Sequence, residues 1–184
     1  MEPRDGGSEA GAPRTLVTDR LVLRPHRAAD LEDVAAMWAD PAVVASIPKP
    51  PSSREESWGG LLRYAGLWSL LGFGYWAVRE RGTGRFVGDV GFADFRRTVS
   101  PSLDGTRECG WVLAAWAHGR GYAGEAVAAA MAWHDAQAAG APATCMIDPA
   151  NVASLRVAER AGFARWAEAE YGGGPVLLLR RPPR

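Results

Sequence analysis

Three glycines open an alanine-rich amphipathic segment, Gly119-Arg120-Gly121-Tyr122-Ala123-Gly124-Glu125-Ala126. The first N–H groups of a helix have no partner within the helix, and they carry the positive end of its dipole. Glycine has no Cβ, so an anion can approach these groups closely. The segment therefore predicts a phosphate site formed by the backbone N–H groups of Gly119, Arg120, Gly121, Ala123 and Gly124. A plain turn with a helix cap is the alternative interpretation.

The spacing Gly119-x-Gly121-x-x-Gly124 also matches the glycine fingerprint of dinucleotide-binding folds. That fingerprint requires a strand that leads directly into a tight turn within a βαβ unit. Here five residues, 114–118, separate the strand-like run Glu108–Leu113 from the glycines, and only about sixty residues follow them. Asp148 does stand near the place of a ribose-binding acid. The context nevertheless disfavours a dinucleotide site.

A second segment, Asn151–Phe163, decides between these interpretations. Together with four earlier motifs it resembles the GNAT superfamily of acyl-CoA-dependent N-acetyltransferases, in the branch of the ribosomal-protein N-terminal (RimJ/RimL-like) enzymes. The resemblance covers Leu16 to Arg180. Its other motifs, in family order, are Thr18-Asp19-Arg20-Leu21-Val22-Leu23-Arg24-Pro25, Gly88-Asp89-Val90-Gly91, Glu108-Cys109-Gly110-Trp111-Val112-Leu113 and the glycine loop.

This resemblance implies one mixed α/β domain whose mostly antiparallel central sheet has a splayed parallel strand pair and is flanked by helices. It also implies acetyl-CoA as co-substrate and direct acetyl transfer to a primary amine, on a protein N-terminus or a small molecule. The backbone of Trp111, Val112 and Leu113 would pair with the pantetheine arm, and the Leu113 amide would lie closest to the thioester. Asn151 would hydrogen-bond the pantetheine.

The chain departs from the family pattern at two positions. Family members usually carry Arg or Gln where this chain has His118, three residues before the central glycine of the loop. Main-chain N–H groups make most of a pyrophosphate site, so the change is expected to weaken binding rather than abolish it, and Arg120 can supply charge. The tyrosine that acts as general acid in many members falls at Ala158. A catalytically impaired, CoA-binding regulatory module is therefore the competing function.

Two residues are predicted to be catalytic. Glu108 is a charged residue in an apolar run, on the same strand face as Gly110 and Val112. The resemblance implies that it takes the ammonium proton through water, and the alternative is a structural carboxylate paired with Arg107 or another arginine. Ser154 lies one helical turn after Asn151 and would donate a proton to the departing sulfur. An ordinary helix N-cap is the alternative role of Asn151.

Composition narrows the class of protein. With 184 residues, the chain fits one domain, predicted at 14–184 after a disordered tail at 1–13. Lys plus Arg equals Asp plus Glu at 21 each, which gives no electrostatic case for nucleic acid or membrane binding. The two cysteines, Cys109 and Cys145, have no metal-ligand spacing and are predicted to be buried thiols. No metal is expected, the location is expected to be cytoplasmic, and a homodimer is left open.

Periodicity and breaker residues predict an antiparallel meander followed by a strand–helix–strand crossover. The first helix begins at Ala28 and stops at Asp40-Pro41, and the second begins after Ser53. The remaining predicted elements are strands at 21–23, 74–79, 86–95 and 107–113, a helix at 122–139, a strand at 143–147, a helix at 152–161, and strands at 163–170 and 176–180.

Overall fold

The computed structural model describes residues 15–47, 49–138 and 140–182, and in these residues eight strands form one sheet with five α-helices. The strands are β1 Leu16–Val17, β2 Leu21–Pro25, β3 Tyr75–Glu80, β4 Phe86–Ala93, β5 Arg107–Leu113, β6 Ala143–Ile147, β7 Ala164–Tyr171 and β8 Gly174–Arg181. The helices are α1 Leu31–Ala39, α2 Pro41–Val44, α3 Arg54–Leu71, α4 Tyr122–Gln137 and α5 Val152–Arg160. Short 3₁₀ turns precede α1 and follow β5, at Ala28–Asp30 and Ala115–Ala117.

The sheet has the order β1-β2-β3-β4-β5-β6-β8-β7, and every neighbouring pair is antiparallel except β5 and β6. The parallel pairing joins only Arg107 with Ala143 and Glu108 with Thr144, so the two strands separate beyond Glu108. The predicted mixed α/β fold with a splayed parallel pair is confirmed. This arrangement is not the doubly wound parallel sheet that a dinucleotide site requires.

Alternate side chains of the strands contribute to two different hydrophobic layers. Cys109 and Leu113 of β5 pack with Val127 of α4, whereas Val112 packs with Val34 of α1. Because successive side chains point to opposite faces of a sheet, α1 and α3 cover one face, and α4 and α5 cover the other. Both cysteines are buried and free, as predicted.

The ends of the long helices follow local sequence signals. Ser53 accepts a hydrogen bond from the Glu56 N–H and Glu56 caps Ser53 in return, so α3 begins where its capping box predicts. Two elements, β1 and α2, were not predicted; α2 begins with Pro41 at the point where Asp40 caps a new turn. The predicted tail, residues 1–13, and the predicted last residue of α4, Ala139, lie outside the described residues.

One histidine lies buried beside a carboxylate. The His26 side chain is only 1% exposed, with Nε2 3.3 Å from Oδ1 of the fully buried Asp89. Trp38 donates from Nε1 to the other Asp89 oxygen at 3.3 Å. These polar groups lie beneath α1, on the sheet face opposite α4.

Among the described residues, no helix combines the length and apolar character needed to cross a bilayer.

Candidate active site

A cavity of about 600 Å³ lies where β5 and β6 separate. Its lining includes Glu108, Gly110 and Val112 from one face of β5, and Cys109 and Trp111 from the other. Residues from both faces can line one cavity only where the sheet is open at its edge. The cavity therefore extends through the split between the strands and connects the two faces of the sheet.

The glycine loop forms the start of α4 in an open position. Gly121 is the N-cap with φ 77°, and Gly119 has φ 72°. Residues other than glycine rarely adopt such positive φ angles. A Cβ added at Gly119 or Gly124 would meet no neighbouring atom within 4 Å. The backbone of these two glycines thus borders open space at the start of a 16-residue helix, where an anion has room to approach.

A charged clamp fixes the first turn of α4. Glu125 accepts hydrogen bonds from Thr18 Oγ1 at 2.5 Å, from the Arg20 backbone N–H at 3.0 Å and from Arg20 Nε at 2.7 Å. Arg20 also donates from Nη1 to the carbonyl oxygen of Arg120 at 2.9 Å. Burial opposes the charge of Glu125, but these hydrogen bonds outweigh it and lower its pKa. The N-terminal strand region therefore holds the glycine loop in place.

The two side chains expected to assist the loop both bond to backbone groups. His118 Nε2 lies 2.9 Å from the carbonyl oxygen of Leu113, so this ring ties the loop to the end of β5. Arg120 donates from Nε to the carbonyl oxygen of Trp116 at 3.0 Å. Both side chains thus make contacts within the region between β5 and α4.

The backbone of Trp111, Val112 and Leu113 pairs with β4 on one side, opposite Val90, Asp89 and Gly88 respectively. On its other side β5 has already separated from β6, whose described pairing stops at Glu108. An extended chain can therefore add along this edge as another strand would. The edge and the glycine loop are consecutive in the chain and lie at the same end of the split.

Asn151 and Ser154 stand at the start of α5, and both line the cavity. The Ser154 N–H donates to Asn151 Oδ1 at 3.0 Å, so the side-chain oxygen of Asn151 is the helix N-cap. Trp111 donates from Nε1 to Ser154 Oγ at 3.3 Å, which places the serine hydroxyl beside β5. Ala158, in contrast, is fully buried in the hydrophobic core.

Glu108 lies in the cavity wall and is held by an arginine. Arg97 donates from Nε to Oε2 at 2.8 Å and from Nη2 to Oε1 at 3.0 Å, and its Nη1 donates to the Tyr171 hydroxyl at 2.8 Å. The partner is thus Arg97 and not the neighbouring Arg107. A proton that leaves an amine would compete with Arg97 for the Glu108 oxygens.

Sequence reasoning missed the aromatic and cationic wall of the cavity. Tyr64 of α3 and Tyr75 of β3 stack with ring centroids 4.5 Å apart. The Arg97 guanidinium carbon lies 4.4 Å from the centroid of the Phe95 ring and 4.9 Å from that of Tyr171. These residues come from four separate segments. The one available signal was Gly110, a glycine in the middle of a buried strand.

The family model described as an acetyltransferase (GNAT) domain matches residues 20–164. The chain belongs to this GNAT acetyltransferase family. It is 31% identical to a solved GNAT-family acetyltransferase from Bordetella pertussis, with a TM-score of 0.82 over 91% of this chain and 99% of that one.

Within the described residues, no group of three or more His, Cys, Asp or Glu side chains is placed to hold a metal ion.

More distant solved structures share the fold. The ribosomal-protein-S5-alanine acetyltransferase from Vibrio fischeri is 19% identical, with a TM-score of 0.74 over 92% of this chain and 96% of that one. RimL, described as a ribosomal L7/L12 α-N-protein acetyltransferase in complex with coenzyme A, is 18% identical, with a TM-score of 0.76 over 92% of this chain and 98% of that one. Structural neighbours of this GNAT fold therefore include ribosomal-protein acetyltransferases.

Proposed function

We propose that this protein transfers an acetyl group from acetyl-CoA to a primary amine by direct attack in a ternary complex. The observation that carries this proposal is the cavity through the split between β5 and β6. The cavity-lining strand β5 is followed in the chain by the glycine loop and the start of α4, and residues of α1 and α3 line the cavity on the opposite face. Two substrates can thus meet at β5 from opposite faces of the sheet.

The acetyl donor is bound mainly by backbone groups in this proposal. The N–H groups of Gly119, Arg120, Gly121, Ala123 and Gly124 take the pyrophosphate, and the β5 edge takes the pantetheine arm. The Leu113 N–H polarises the thioester carbonyl, which requires no dedicated side chain. Asn151 contributes its side-chain N–H₂ to the pantetheine while its oxygen remains the helix cap.

The reaction joins the amine nitrogen to the carbonyl carbon and breaks the carbon–sulfur bond. The ammonium first loses a proton to Glu108 through water, and the neutral amine attacks. The amine nitrogen then loses its second proton to water, the sulfur leaves with the bonding electron pair and takes the proton of Ser154, and water returns a proton to Ser154. Trp111 donates to the Ser154 oxygen, which leaves the serine's own proton available for the sulfur. Both Glu108 oxygens already bond to Arg97, so the alternative role of Glu108 is to anchor Arg97 at the cavity wall.

A CoA-binding regulatory module is the second candidate function. Two observations favour it: position 158 is an alanine buried in the core, and both oxygens of Glu108 bond to Arg97. This candidate predicts cofactor binding without turnover. It uses the same donor site, so only a measurement of catalysis separates the two functions.

The deciding experiment measures free thiol after mixing the protein with acetyl-CoA and a panel of amines. The panel contains alanine- and serine-initiated hexapeptides, a polyamine and an aminoglycoside, and mass spectrometry identifies the product. Thiol release that depends on one amine supports the transferase, whereas a rise in melting temperature with acetyl-CoA and no release with any amine supports the regulatory module. Stabilisation by NADH but not by CoA would contradict both.

A further inference from the structure

Tyr75 reaches across two strands to the middle of β5. It pairs with Gly91 of β4, and Gly91 pairs with Gly110 of β5, so these three positions share one face of the sheet. The two glycines have no side chains, and the Tyr75 ring lies above them. A Cβ at Gly110 would collide with the Tyr75 hydroxyl oxygen. The hydroxyl is therefore fixed against the backbone of the strand proposed to hold the thioester.

The surrounding side chains leave this hydroxyl facing the cavity. Tyr75 is 6% exposed, its ring stacks on Tyr64 at an interplanar angle of 11°, and it lines the cavity beside Glu108. Within residues 15–47, 49–138 and 140–182, no group forms a hydrogen bond with the Tyr75 hydroxyl. The hydroxyl borders the cavity, so an N–H that enters the cavity can bond to it without displacing a protein partner.

The position of the hydroxyl favours the amine over the departing sulfur as its partner. Tyr75, Glu108 and Gly110 lie on the face of β5 covered by α1 and α3, whereas Trp111 and its partner Ser154 belong to the other face. Burial raises the pKa of Tyr75 well above its usual value, so the group stays a neutral hydroxyl. A neutral hydroxyl oxygen can accept an N–H from the amine, and it adds no negative charge that would hold the acceptor as unreactive ammonium.

We propose that the Tyr75 hydroxyl binds the nitrogen of the acceptor amine and positions it against the thioester held along β5. The hydroxyl accepts one N–H of the amine, which directs the nitrogen lone pair towards the carbonyl carbon, and it neither gains nor loses a proton overall. This proposal rests on the proposed acetyltransferase function. It assigns to the acceptor side a positioning residue that substitution can test separately from the donor site.

The main test is Tyr75→Phe, which removes the hydroxyl and keeps the stacked ring. With the panel amine that the wild type acetylates fastest, we expect kcat/KM for the amine to fall by about tenfold to a hundredfold. We expect the Kd for acetyl-CoA, measured by calorimetry, to stay within about twofold, because the donor contacts lie elsewhere. Tyr64→Phe is the matched control: it removes a buried hydroxyl from the other member of the stack, and we expect it to change kcat/KM for the amine much less.

A second test places the hydroxyl at Gly110, and its first arm, Gly110→Ala in the wild-type background, does not depend on the folding of Tyr75→Phe. Gly110→Ala introduces a Cβ that collides with the Tyr75 hydroxyl oxygen and displaces it. The next-nearest atom to this Cβ is the ring carbon Cζ at 3.2 Å, so removal of the hydroxyl relieves most of the clash. We therefore expect Gly110→Ala to lower kcat/KM for the amine in the wild-type background and to have much less further effect in the Tyr75→Phe background. Additive losses would contradict the placement of the hydroxyl at Gly110.

The outcomes separate the two proposals. Unchanged kcat/KM for the amine in Tyr75→Phe overturns the role of Tyr75 and leaves the transferase function intact. A rise in the KM for acetyl-CoA alone also overturns it, because it would place the hydroxyl at the thioester. A wild type that releases thiol with none of the four kinds of amine overturns the proposed function, and the role of Tyr75 with it.

Discussion

The proposed donor and acceptor sites are built differently. The proposed donor site uses backbone groups from nearly continuous sequence: the β5 edge, the glycine loop and the start of α4, all within residues 111–125. The proposed acceptor site uses side chains of the cavity wall from β3, the loop after β4 and the β7–β8 hairpin, such as Tyr75, Arg97 and Tyr171. A common cofactor can be held by backbone geometry, whereas recognition of a particular amine needs side chains.

The largest expected effect is on the binding of acetyl-CoA at the proposed donor site. Gly121→Asp places a carboxylate at the N-cap of α4, where the pyrophosphate is proposed to lie, and we expect acetyl-CoA affinity to fall by more than about a hundredfold through like-charge repulsion. Calorimetric titration with acetyl-CoA measures the loss.

Gly121→Asn is its matched control, because asparagine also tolerates a positive φ and has nearly the same size without the charge. We expect it to retain much more affinity than the aspartate variant. Equal losses in the two variants would attribute the effect to backbone strain rather than to charge.

The next largest effect concerns Glu108 on the acceptor face. If it is the base, Glu108→Gln lowers kcat by about a hundredfold at neutral pH, the usual scale for loss of a general base. Binding of acetyl-CoA is expected to survive, and steady-state kinetics with calorimetry check both statements.

Arg97→Gln distinguishes a Glu108 that acts as the catalytic base from a Glu108 that only anchors Arg97. It frees the Glu108 oxygens, so a catalytic Glu108 should keep turnover above that of Glu108→Gln, although loss of one partner of a buried pair destabilises the fold. If both variants instead unfold at similarly reduced urea concentrations and keep wild-type turnover, Glu108 serves only to hold Arg97.

A smaller effect distinguishes the two residues at the start of α5. We expect Ser154→Ala to lower kcat by about tenfold with little change in acetyl-CoA affinity, because a thiolate is a good leaving group and needs less help than the amine. A raised KM for acetyl-CoA with unchanged kcat would make the serine a donor contact and water the proton source.

Asn151→Ala is expected to do the opposite and weaken acetyl-CoA binding, with a loss of about 1 kcal/mol of stability from the missing cap. Asn151→Asp is the control, since it keeps the capping oxygen that bonds the Ser154 N–H and removes the side-chain N–H₂. Wild-type affinity in the aspartate variant would restrict Asn151 to capping.

The smallest effect concerns the clamp on the donor loop. The pKa of Glu125 is lower in the folded protein because hydrogen bonds from Thr18 and Arg20 outweigh burial, so its stabilising contribution exists above the unfolded pKa and disappears as pH falls through the folded value. Arg20 is 48% exposed, so we expect at most about 1 kcal/mol. Urea unfolding of Glu125→Gln should match the wild type at low pH and show lower stability at pH 7; an equal loss at both pH values would contradict a charge effect.

Local signals predicted most of the fold. The Ser53 capping box, the strand periodicity of β3 to β5 and the glycines before α4 each act within a few residues, and the described elements lie within a few residues of their predicted bounds. The short elements β1 and α2 were missed because two and four residues give too little periodicity to recognise.

The candidate site was predicted only in part, for a related reason. Trp111, Asn151 and Ser154 were predicted from contiguous motifs and line the cavity, and the predicted glycine loop precedes α4, while their roles stay predictions. Arg97 is eleven residues from Glu108 across a polar loop, so nothing in the sequence selects it over Arg107. Strand register, in contrast, brings Tyr75 to Gly110 from 35 positions away.

The sequence by itself determined the family and the order of the elements, and it predicted a backbone site for an anionic donor, because hydrogen-bonding periodicity and helix capping are local properties of the chain. The tertiary structure alone decided which arginine binds Glu108, that Asn151 caps α5, and that the Tyr75 hydroxyl faces the cavity. Those contacts join residues that the sheet brings together, and their energies depend on burial and distance, which no local pattern of residues encodes.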